Sequence, residues 1–254
     1  MISQAETSAE PEASAVLPPT GDLTSAAYER IEELFISMRL APGATLRTQD
    51  LQSLTGLGRT PVHQAVRRLA AETLLEVQPR NGLRVAPIDL ERERRLTALR
   101  RDMDRFVITA AISGLEGNER ARLTHIMRRM EAERPTITLD QFNVLDKAFD
   151  MLMIQASRER FLERCLRPLK ALGRRIGYLD IRHISEQQGL DDTVDHHLAI
   201  MRAVLDGDVA RACAMSDELV EFGNLMLTRL ERNIDPALLD ISFGLEGGEG
   251  GRVP

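Results

Sequence analysis

The sequence predicts a mainly α-helical protein, in which an N-terminal winged helix-turn-helix is followed by an all-α bundle of about six helices. Apolar residues recur at helical spacing over most of residues 24–232, which is typical of amphipathic helices. Two short apolar segments flank Asn81-Gly82, and this pattern is a strong signal for a β-hairpin. With 254 residues, 43% of them hydrophobic, the chain is long enough for two compact domains.

The two ends of the chain lack this periodicity. Residues 1–22 are small, acidic and proline-containing, and we expect them to form a disordered tail. Residues 241–254 are rich in glycine and are expected to be flexible. Between these ends the pattern changes near residue 88, which predicts a winged helix-turn-helix at residues 23–88 and a helical domain at residues 89–240.

The charge is unevenly distributed along the chain. The net charge is −6, so the protein as a whole has no general attraction for polyanions. Residues 24–87, however, carry eight arginines against six carboxylates, a net +2, which leaves −8 for the remainder. Any contact with nucleic acid is therefore expected to be local and confined to the front domain. Tryptophan is absent and aromatic residues are 4%, which disfavours base stacking on single strands.

Cysteine usage and hydropathy indicate the compartment. The two cysteines, Cys165 and Cys213, both lie in apolar helical patterns, which favours a reducing environment over a disulfide framework. No apolar run has the length of a membrane span, and the N-terminus lacks a basic-then-apolar signal pattern. The expected location is the cytoplasm, without a membrane association.

Three short helices are predicted in the front domain. The first covers residues 24–38 and ends before Pro42-Gly43, and the second covers residues 47–55. After the turn at residues 56–58 we expect a third helix, with Thr60 as its N-cap and Pro61 at the first helical position. Its core-facing residues are predicted to be Val62, Ala65, Val66 and Leu69. Three helices and a hairpin make a winged helix-turn-helix, although such packing also occurs in proteins that never contact DNA.

This front segment resembles the winged helix of GntR-type bacterial transcription regulators. The matching residues are Pro42-Gly43, Arg59-Thr60-Pro61-Val62, Ala65, Arg67-Arg68-Leu69 and Gly82. Three positions depart from the family pattern: Gly58 stands where serine is usual, His63 where arginine is usual, and Gln64 where glutamate is usual.

The helical remainder resembles the FCD ligand-binding domain of the FadR-like subfamily. The resemblance rests on Leu99-Arg100, on residues 146–149 (DKAF), and on residues 197–200 (HLAI) followed by Ala203 and Gly207-Asp208. It implies a homodimeric transcription regulator, a repressor, that reads an inverted-repeat DNA operator and responds to a small-molecule effector bound in the helical domain.

The third front helix carries the main DNA-binding prediction. Arg59 lies just before the helix, where a side chain and free N–H groups can meet a phosphate. Arginine can read guanine in the major groove and glutamine can read adenine, whereas neutral His63 makes one contact rather than a fork. Alternatively, the polar residues of this helix form an ordinary charged face that contacts only solvent. The predicted DNA-binding residues are Arg47, Gln49, Arg59, Thr60, His63, Gln64, Arg67, Asn81 and Gly82, with Arg80 and Arg84 as further wing candidates.

The FCD resemblance also implies a divalent metal held by one aspartate and three histidines. Asp146 matches the aspartate, Asp150 stands at the first histidine position, and His197 matches the second. The third position is held by Leu219, which cannot be a ligand, and Glu218 is its neighbour. Zn, Ni or Mn could still be held by Asp146, Asp150 and His197, with Glu218 or water completing the site. Alternatively, the metal has been lost and the pocket binds an organic effector, or these side chains are solvated or internally hydrogen-bonded.

Arginines in the acidic domain point to the charge of the effector. An inward-pointing arginine is costly unless it pairs with an internal aspartate or an anionic ligand. Arg100 matches a family position in the effector pocket, while Arg174 and Arg175 lie on a predicted central helix. The effector is therefore expected to be an anion, such as a small carboxylate. Its predicted contacts are Arg100, Asp146, Asp150, Arg174 and His197, although surface arginines are common in this chain.

A second function remains open from the sequence. A helical metalloenzyme could use Asp146, Asp150 and His197, with the front domain serving only for packing. No Gly-rich phosphate loop, Cys-Cys metal pair or serine elbow is present, and no catalytic residues are assigned. The regulator hypothesis, without enzymatic activity, is the one the resemblance favours.

Overall fold

The computed structural model of the protein describes the backbone of residues 20–242 and the side chains of residues 23–242. Its front part is a three-helix unit with a small sheet. The order is α1 (Thr20–Ile36), β1 (Thr45–Leu46), α2 (Thr48–Thr55), α3 (Arg59–Ala71), β2 (Leu75–Gln78) and β3 (Gly82–Val85). The predicted core positions of α3 are all buried, so the winged helix-turn-helix expected from the sequence is formed.

The second part contains the six predicted helices. They are α4 (Leu90–Gly114), α5 (Gly117–Glu133), α6 (Leu139–Ala156), α7 (Arg160–Asp180), α8 (Glu186–Asp206) and α9 (Val209–Asn233). A π-helical turn, Ile181–Ser185, joins α7 to α8, and a 3-10 turn, Pro236–Leu238, follows α9. Within residues 20–242 no helix is both long enough and apolar enough to cross a bilayer.

The predicted boundaries of α1 and α3 differ from those in the structure; α1, for example, ends at Ile36 rather than at residue 38. Helix α1 begins at Thr20, inside the segment 1–22 predicted as disordered, because the polar residues that suit a first helical turn carry no apolar periodicity. Helix α3 begins at Arg59 with Gly58 as its N-cap, so Thr60 is not the cap and Pro61 occupies the third helical position. Proline is equally acceptable there, since the N–H groups of the whole first turn lack intrahelical partners.

The wing contains a third strand that the sequence did not predict. Strand β3 lies between β1 and β2, and Leu46 of β1 pairs with Leu83. Asn81-Gly82 does not form a two-residue turn: residues 79–81 connect the strands, and Gly82 is the first residue of β3. A Cβ on Gly82 would lie 2.7 Å from the Leu46 carbonyl oxygen, and its φ is +87°. Glycine therefore allows β1 to approach the hairpin.

The two parts share buried contacts. Ala171 and Leu172 of α7 are buried in the front-domain core, packed with residues of α1. The fully buried Arg175 donates a 2.8 Å hydrogen bond to the carbonyl oxygen of Ala86, and its guanidinium lies 3.9 Å from the Phe35 ring centre. Helix α7 thus belongs to the helical bundle and to the junction with the winged helix.

The segment after α9 returns to the front domain. The Ile88 N–H donates to the Leu239 carbonyl at 2.8 Å, and the Ile241 N–H donates to the Pro42 carbonyl at 2.9 Å. Ile241 also packs against the front core, so the first two residues of the predicted flexible tail, 241 and 242, are held in place, because an apolar side chain gains by burial there. The remainder of that tail, residues 243–254, and residues 1–19 lie outside the described residues.

Candidate DNA-binding face and effector pocket

Helix α3 presents a polar face opposite its buried stripe. Arg59, Thr60, His63 and Arg67 are exposed on it. Helical spacing places them together, since residues three and four apart are neighbours on the surface. The turn at residues 56–58 leads directly into the N-terminus of α3, where unpaired backbone N–H groups can meet a phosphate.

Six arginines of the front domain are exposed and form no ion pair among the described side chains of residues 23–242: Arg30, Arg39, Arg47, Arg59, Arg67 and Arg80. Of these, Arg30 donates a hydrogen bond to the Thr55 carbonyl oxygen. Other arginines of the same domain are neutralised internally. Arg68 binds Glu72 at 2.9 Å, and Arg84 binds Asp240 at 2.7 Å. The predicted wing contact Arg84 is therefore engaged by the C-terminal segment.

The remaining predicted DNA contacts differ in their surroundings. Gln49 and Asn81 are exposed, on α2 and at the wing turn. The Thr24 hydroxyl lies 2.7 Å from Gln64 Oε1, so the Gln64 side chain is directed at α1. Gly82 is half-buried and serves the wing backbone, as described above. Of the predicted contacts, Arg59, Thr60, His63 and Arg67 are therefore the ones that share the exposed polar face of α3.

A pocket opens in the helical domain between α4, α6, α7, α8 and α9. The volume not occupied by protein atoms is about 760 Å³, which includes the open mouth of the pocket. All five predicted effector residues line it: Arg100, Asp146, Asp150, Arg174 and His197. Arg175, by contrast, points into the domain junction and does not line this pocket. Apolar walls come from Phe142, Ile176, Leu219, Phe222 and Met226.

The charged side chains at the pocket form a continuous series of ion pairs in which cations and carboxylates alternate. Its first half joins Arg100 Nε to Asp104 at 3.1 Å and Lys170 Nζ to Asp104 at 2.9 Å. Lys170 Nζ also lies 3.0 Å from Asp150 Oδ1. Asp104 and Lys170 are not among the residues predicted from the sequence. Their helical spacing to predicted residues, four after Arg100 and four before Arg174, was the available signal.

The second half of this series of ion pairs centres on Arg174. Its Nε donates to Asp146 Oδ2 at 2.6 Å, and its Nη2 donates to Asp150 Oδ2. His197 Nε2 lies 3.0 Å from Asp146 Oδ1, while its Nδ1 lies 2.7 Å from the Thr193 carbonyl oxygen. The guanidinium therefore bridges two carboxylates four residues apart on one helix.

These neighbours keep the buried groups charged. Burial alone would raise the pKa of Asp146, but Arg174 and His197 outweigh it and hold that pKa well below its usual range. Burial lowers the pKa of Lys170, and the carboxylates of Asp104 and Asp150 more than compensate, so it is raised. The result is a set of ion pairs between helices α4, α6 and α7.

The arrangement does not fit the metal site implied by the resemblance. Asp146, Asp150 and His197 are close together, but the Arg174 guanidinium joins the two carboxylates. Leu219 lines the pocket and has no donor atom, whereas Glu218 is exposed and lies outside it. Within residues 20–242, no three His, Cys, Asp or Glu side chains are grouped to hold a metal ion.

A winged helix-turn-helix with an exposed basic recognition helix, joined to a helical domain with a charged pocket, defines a class of DNA-binding transcription regulators. Two family models agree with this class. The model described as bacterial regulatory proteins, gntR family, matches residues 23–85, and the FCD domain model matches residues 95–222. The chain belongs to the GntR family of transcription regulators and carries an FCD domain. Since this family consists of regulators, the metalloenzyme alternative is wrong.

Curated relatives and solved structures are similar over most of the chain. The HTH-type transcriptional repressor RspR of Escherichia coli K12 is 24% identical over 86% of this chain and 95% of its own length. The repressor GlaR of the same organism is 26% identical over 73% of this chain and 86% of its own. The fold is similar to that of E. coli McbR/YncC, with a TM-score of 0.70 at 17% identity over 83% of this chain and 99% of that one.

Proposed function

We propose that this GntR-family regulator is a repressor that binds an inverted-repeat operator as a homodimer and changes its DNA affinity when a small organic anion enters the helical-domain pocket. The single observation that carries the proposal is the basic face of α3, where Arg59 and Arg67 are exposed and have no partner among the described side chains. An unpaired basic face on an acidic protein is what local phosphate and base contacts require. Because its target is chromosomal DNA, the regulator is proposed to act in the cytoplasm.

The repressor assignment and the dimer have separate support. Two of the relatives, RspR and GlaR, are named as repressors. One short recognition helix gives little affinity alone, so operators of such proteins present two half-sites to a two-fold dimer. Helix α4 exposes Leu99 and Phe106, at 55% and 56% accessibility, two turns apart on one face. We propose this face for contact with a second copy.

The anion is proposed from the pocket cations. Arg100, Lys170 and Arg174 all line the pocket, and aromatic and aliphatic walls surround them. This combination suits a small carboxylate with an apolar body, since a guanidinium forms two parallel hydrogen bonds to a carboxylate.

DNA binding is tested on duplexes from the region upstream of the protein's own gene. We expect a shifted complex whose affinity falls steeply as salt rises, with two protein chains per duplex by sedimentation. Binding that is equal on unrelated duplexes of the same length would contradict operator recognition. A monomer at micromolar concentration would contradict the homodimer.

The effector is tested by thermal shift with a panel of mono- and dicarboxylates matched by neutral amides. A ligand at about a hundredfold above its Kd should stabilise the protein by about 2.7 kcal/mol. The same compound should change operator affinity in the wild type but not in Arg100→Ala. A panel in which amides and carboxylates act alike would contradict an anionic effector.

A further inference from the structure

We propose that Arg174 is a built-in replacement for the divalent metal of this type of FCD domain, so that the pocket binds its anionic ligand on protein cations, without a metal. The inference rests on the proposed effector pocket and deepens it. The residues that the FCD resemblance implies as metal ligands surround the guanidinium of Arg174, which lies where a metal ion would be expected.

The oxygens of Asp146 and Asp150 already have partners in the protein. Asp146 directs Oδ2 at Arg174 and Oδ1 at His197, at 2.6 and 3.0 Å. Asp150 directs Oδ2 at Arg174 and Oδ1 at Lys170. All four oxygens that a cation would use already face an N–H donor. A planar guanidinium can satisfy two carboxylates at once, which a single ammonium group does less well.

The imidazole is engaged in the same way. His197 Nδ1 faces the Thr193 carbonyl oxygen at 2.7 Å, and its Nε2 faces Asp146 Oδ1 at 3.0 Å. A metal ligand must present a free lone pair to an open position. Both ring nitrogens of His197 face protein oxygen atoms instead, so neither presents such a position to a metal ion.

The balance of charges in the pocket also disfavours a metal ion. The buried carboxylates Asp104, Asp146 and Asp150 are matched by three cations, Arg100, Lys170 and Arg174. A divalent ion added to this balanced group would bring two uncompensated positive charges into a water-poor site. Such charges are costly to bury, so the ion is disfavoured as long as Arg174 remains.

Arg100 is the cation left for the ligand. Its Nε lies 3.1 Å from Asp104, and its terminal amino groups make no hydrogen bond to the described residues. The guanidinium lies against Gly173, where a Cβ would be only 2.6 Å from Nη1. A glycine at this position of α7 leaves space for Arg100 beside the pocket. We infer that a carboxylate docks on Arg100 while Arg174 keeps the two aspartates together.

The test uses the metal ion itself as the probe on tag-free protein. Wild type is equilibrated with Zn²⁺, Ni²⁺ or Mn²⁺, dialysed and assayed for metal by elemental analysis, and its Tm is compared with and without EDTA. We expect far less than one ion per chain and no change in Tm. Wild type that retains one ion per chain, with a Tm that falls on chelation, would overturn the proposal.

Substitution of Arg174 should create the metal site that the wild type lacks. Arg174→Ala frees oxygens of Asp146 and Asp150, so we expect it to bind Zn²⁺ with a metal-dependent rise in Tm. Arg174→Gln removes the charge with less loss of volume and provides a second variant if the alanine variant does not fold. Arg174→Lys keeps a cation and should remain metal-free. Arg164→Ala, an exposed position on the same helix, is the matched control.

The outcomes separate this proposal from the proposed function. If neither Arg174→Ala nor Arg174→Gln gains a metal-dependent rise in Tm, then Arg174 is not a replacement for the metal. A wild type that needs metal but still binds operator and responds to carboxylates overturns only the metal-free pocket. A metal-free wild type that ignores both DNA and carboxylates overturns the proposed function instead.

Discussion

The guanidinium of Arg167 lies 4.2 Å from the centre of the Tyr28 ring, across the boundary between the helical domain and the winged helix. On the same ring, the guanidinium of Arg68 from recognition helix α3 lies 4.0 Å from the centre. Tyr28 therefore contacts cations from α3, the proposed recognition helix, and from α7, the helix that carries Arg174 in the pocket.

Arg167 also neutralises a buried carboxylate. Its Nε lies 3.0 Å from Glu32 Oε1, and Lys147 Nζ lies 2.6 Å from Glu32 Oε2. Burial would raise the pKa of Glu32, but Arg167 and Lys147 outweigh it and lower this pKa to about 2. Its stabilising effect is thus complete above the unfolded pKa and is lost only as the pH falls through the folded value.

We predict that Arg167→Ala lowers the free energy of unfolding by about 3–5 kcal/mol at pH 7, because it leaves the Glu32 carboxylate buried with one partner fewer. The measurement is chemical denaturation followed by circular dichroism. Arg164→Ala, exposed three residues earlier on the same helix, should stay within about 0.5 kcal/mol of wild type. Equal midpoints for the two variants would contradict the role of this ion pair.

Glu93 of α4 should make the domain junction sensitive to pH. Burial raises the pKa of Glu93 to about 7. Between the unfolded value and about 7 the folded state holds a proton that the unfolded state has lost, so stability falls as pH rises through this window. The contribution is up to about 3 kcal/mol. We predict that Glu93→Gln reduces the loss of Tm between pH 5 and pH 8, while Glu91→Gln, exposed on the same helix, retains the wild-type loss.

Arg67→Ala should weaken operator binding by roughly 5- to 150-fold, because a base-reading arginine contributes about 1–3 kcal/mol. Arg59→Ala should weaken binding on all sequences and lower the slope of log K against log salt by about one, as expected for a phosphate contact. Fluorescence anisotropy over a salt series measures both effects. Arg128→Ala, exposed on α5 of the helical domain, should bind as wild type does. If Arg67→Ala also keeps wild-type affinity, α3 is not the recognition helix.

His63→Arg tests whether residue 63 contributes to the base preference of this regulator. His63 is exposed on the same face of α3 as Arg59 and Arg67. Arginine adds a two-pronged donor suited to guanine, whereas a neutral imidazole makes one contact. We predict that selection from a randomised operator library yields a guanine at one new position per half-site with His63→Arg. Identical selected sequences for both proteins would show that residue 63 does not contact a base.

The sequence predicted which residues line the pocket better than it predicted which of their side chains contact one another. The FCD resemblance predicted that Asp146 and Asp150 belong to one site, and the structure places both in the pocket. Lys170 was missed, since a lone lysine on an amphipathic helix is usually solvent-exposed. Gln64 stays a predicted DNA contact; its Oε1 accepts a hydrogen bond from Thr24, forty residues away, a contact that helical spacing cannot reveal.

Local patterns determined the class of this protein. Helical periodicity, the proline and glycine positions and the motif around Arg59-Thr60-Pro61 act over a few residues, so they predicted the winged helix, the six-helix domain and the family. Only the tertiary structure decided which charges meet. Whether Arg174 points at solvent, at a ligand or at Asp146 depends on how α7 packs on α6, and Coulomb energies of buried groups change steeply over a few ångströms. The same packing placed Tyr28 between two arginines from different domains.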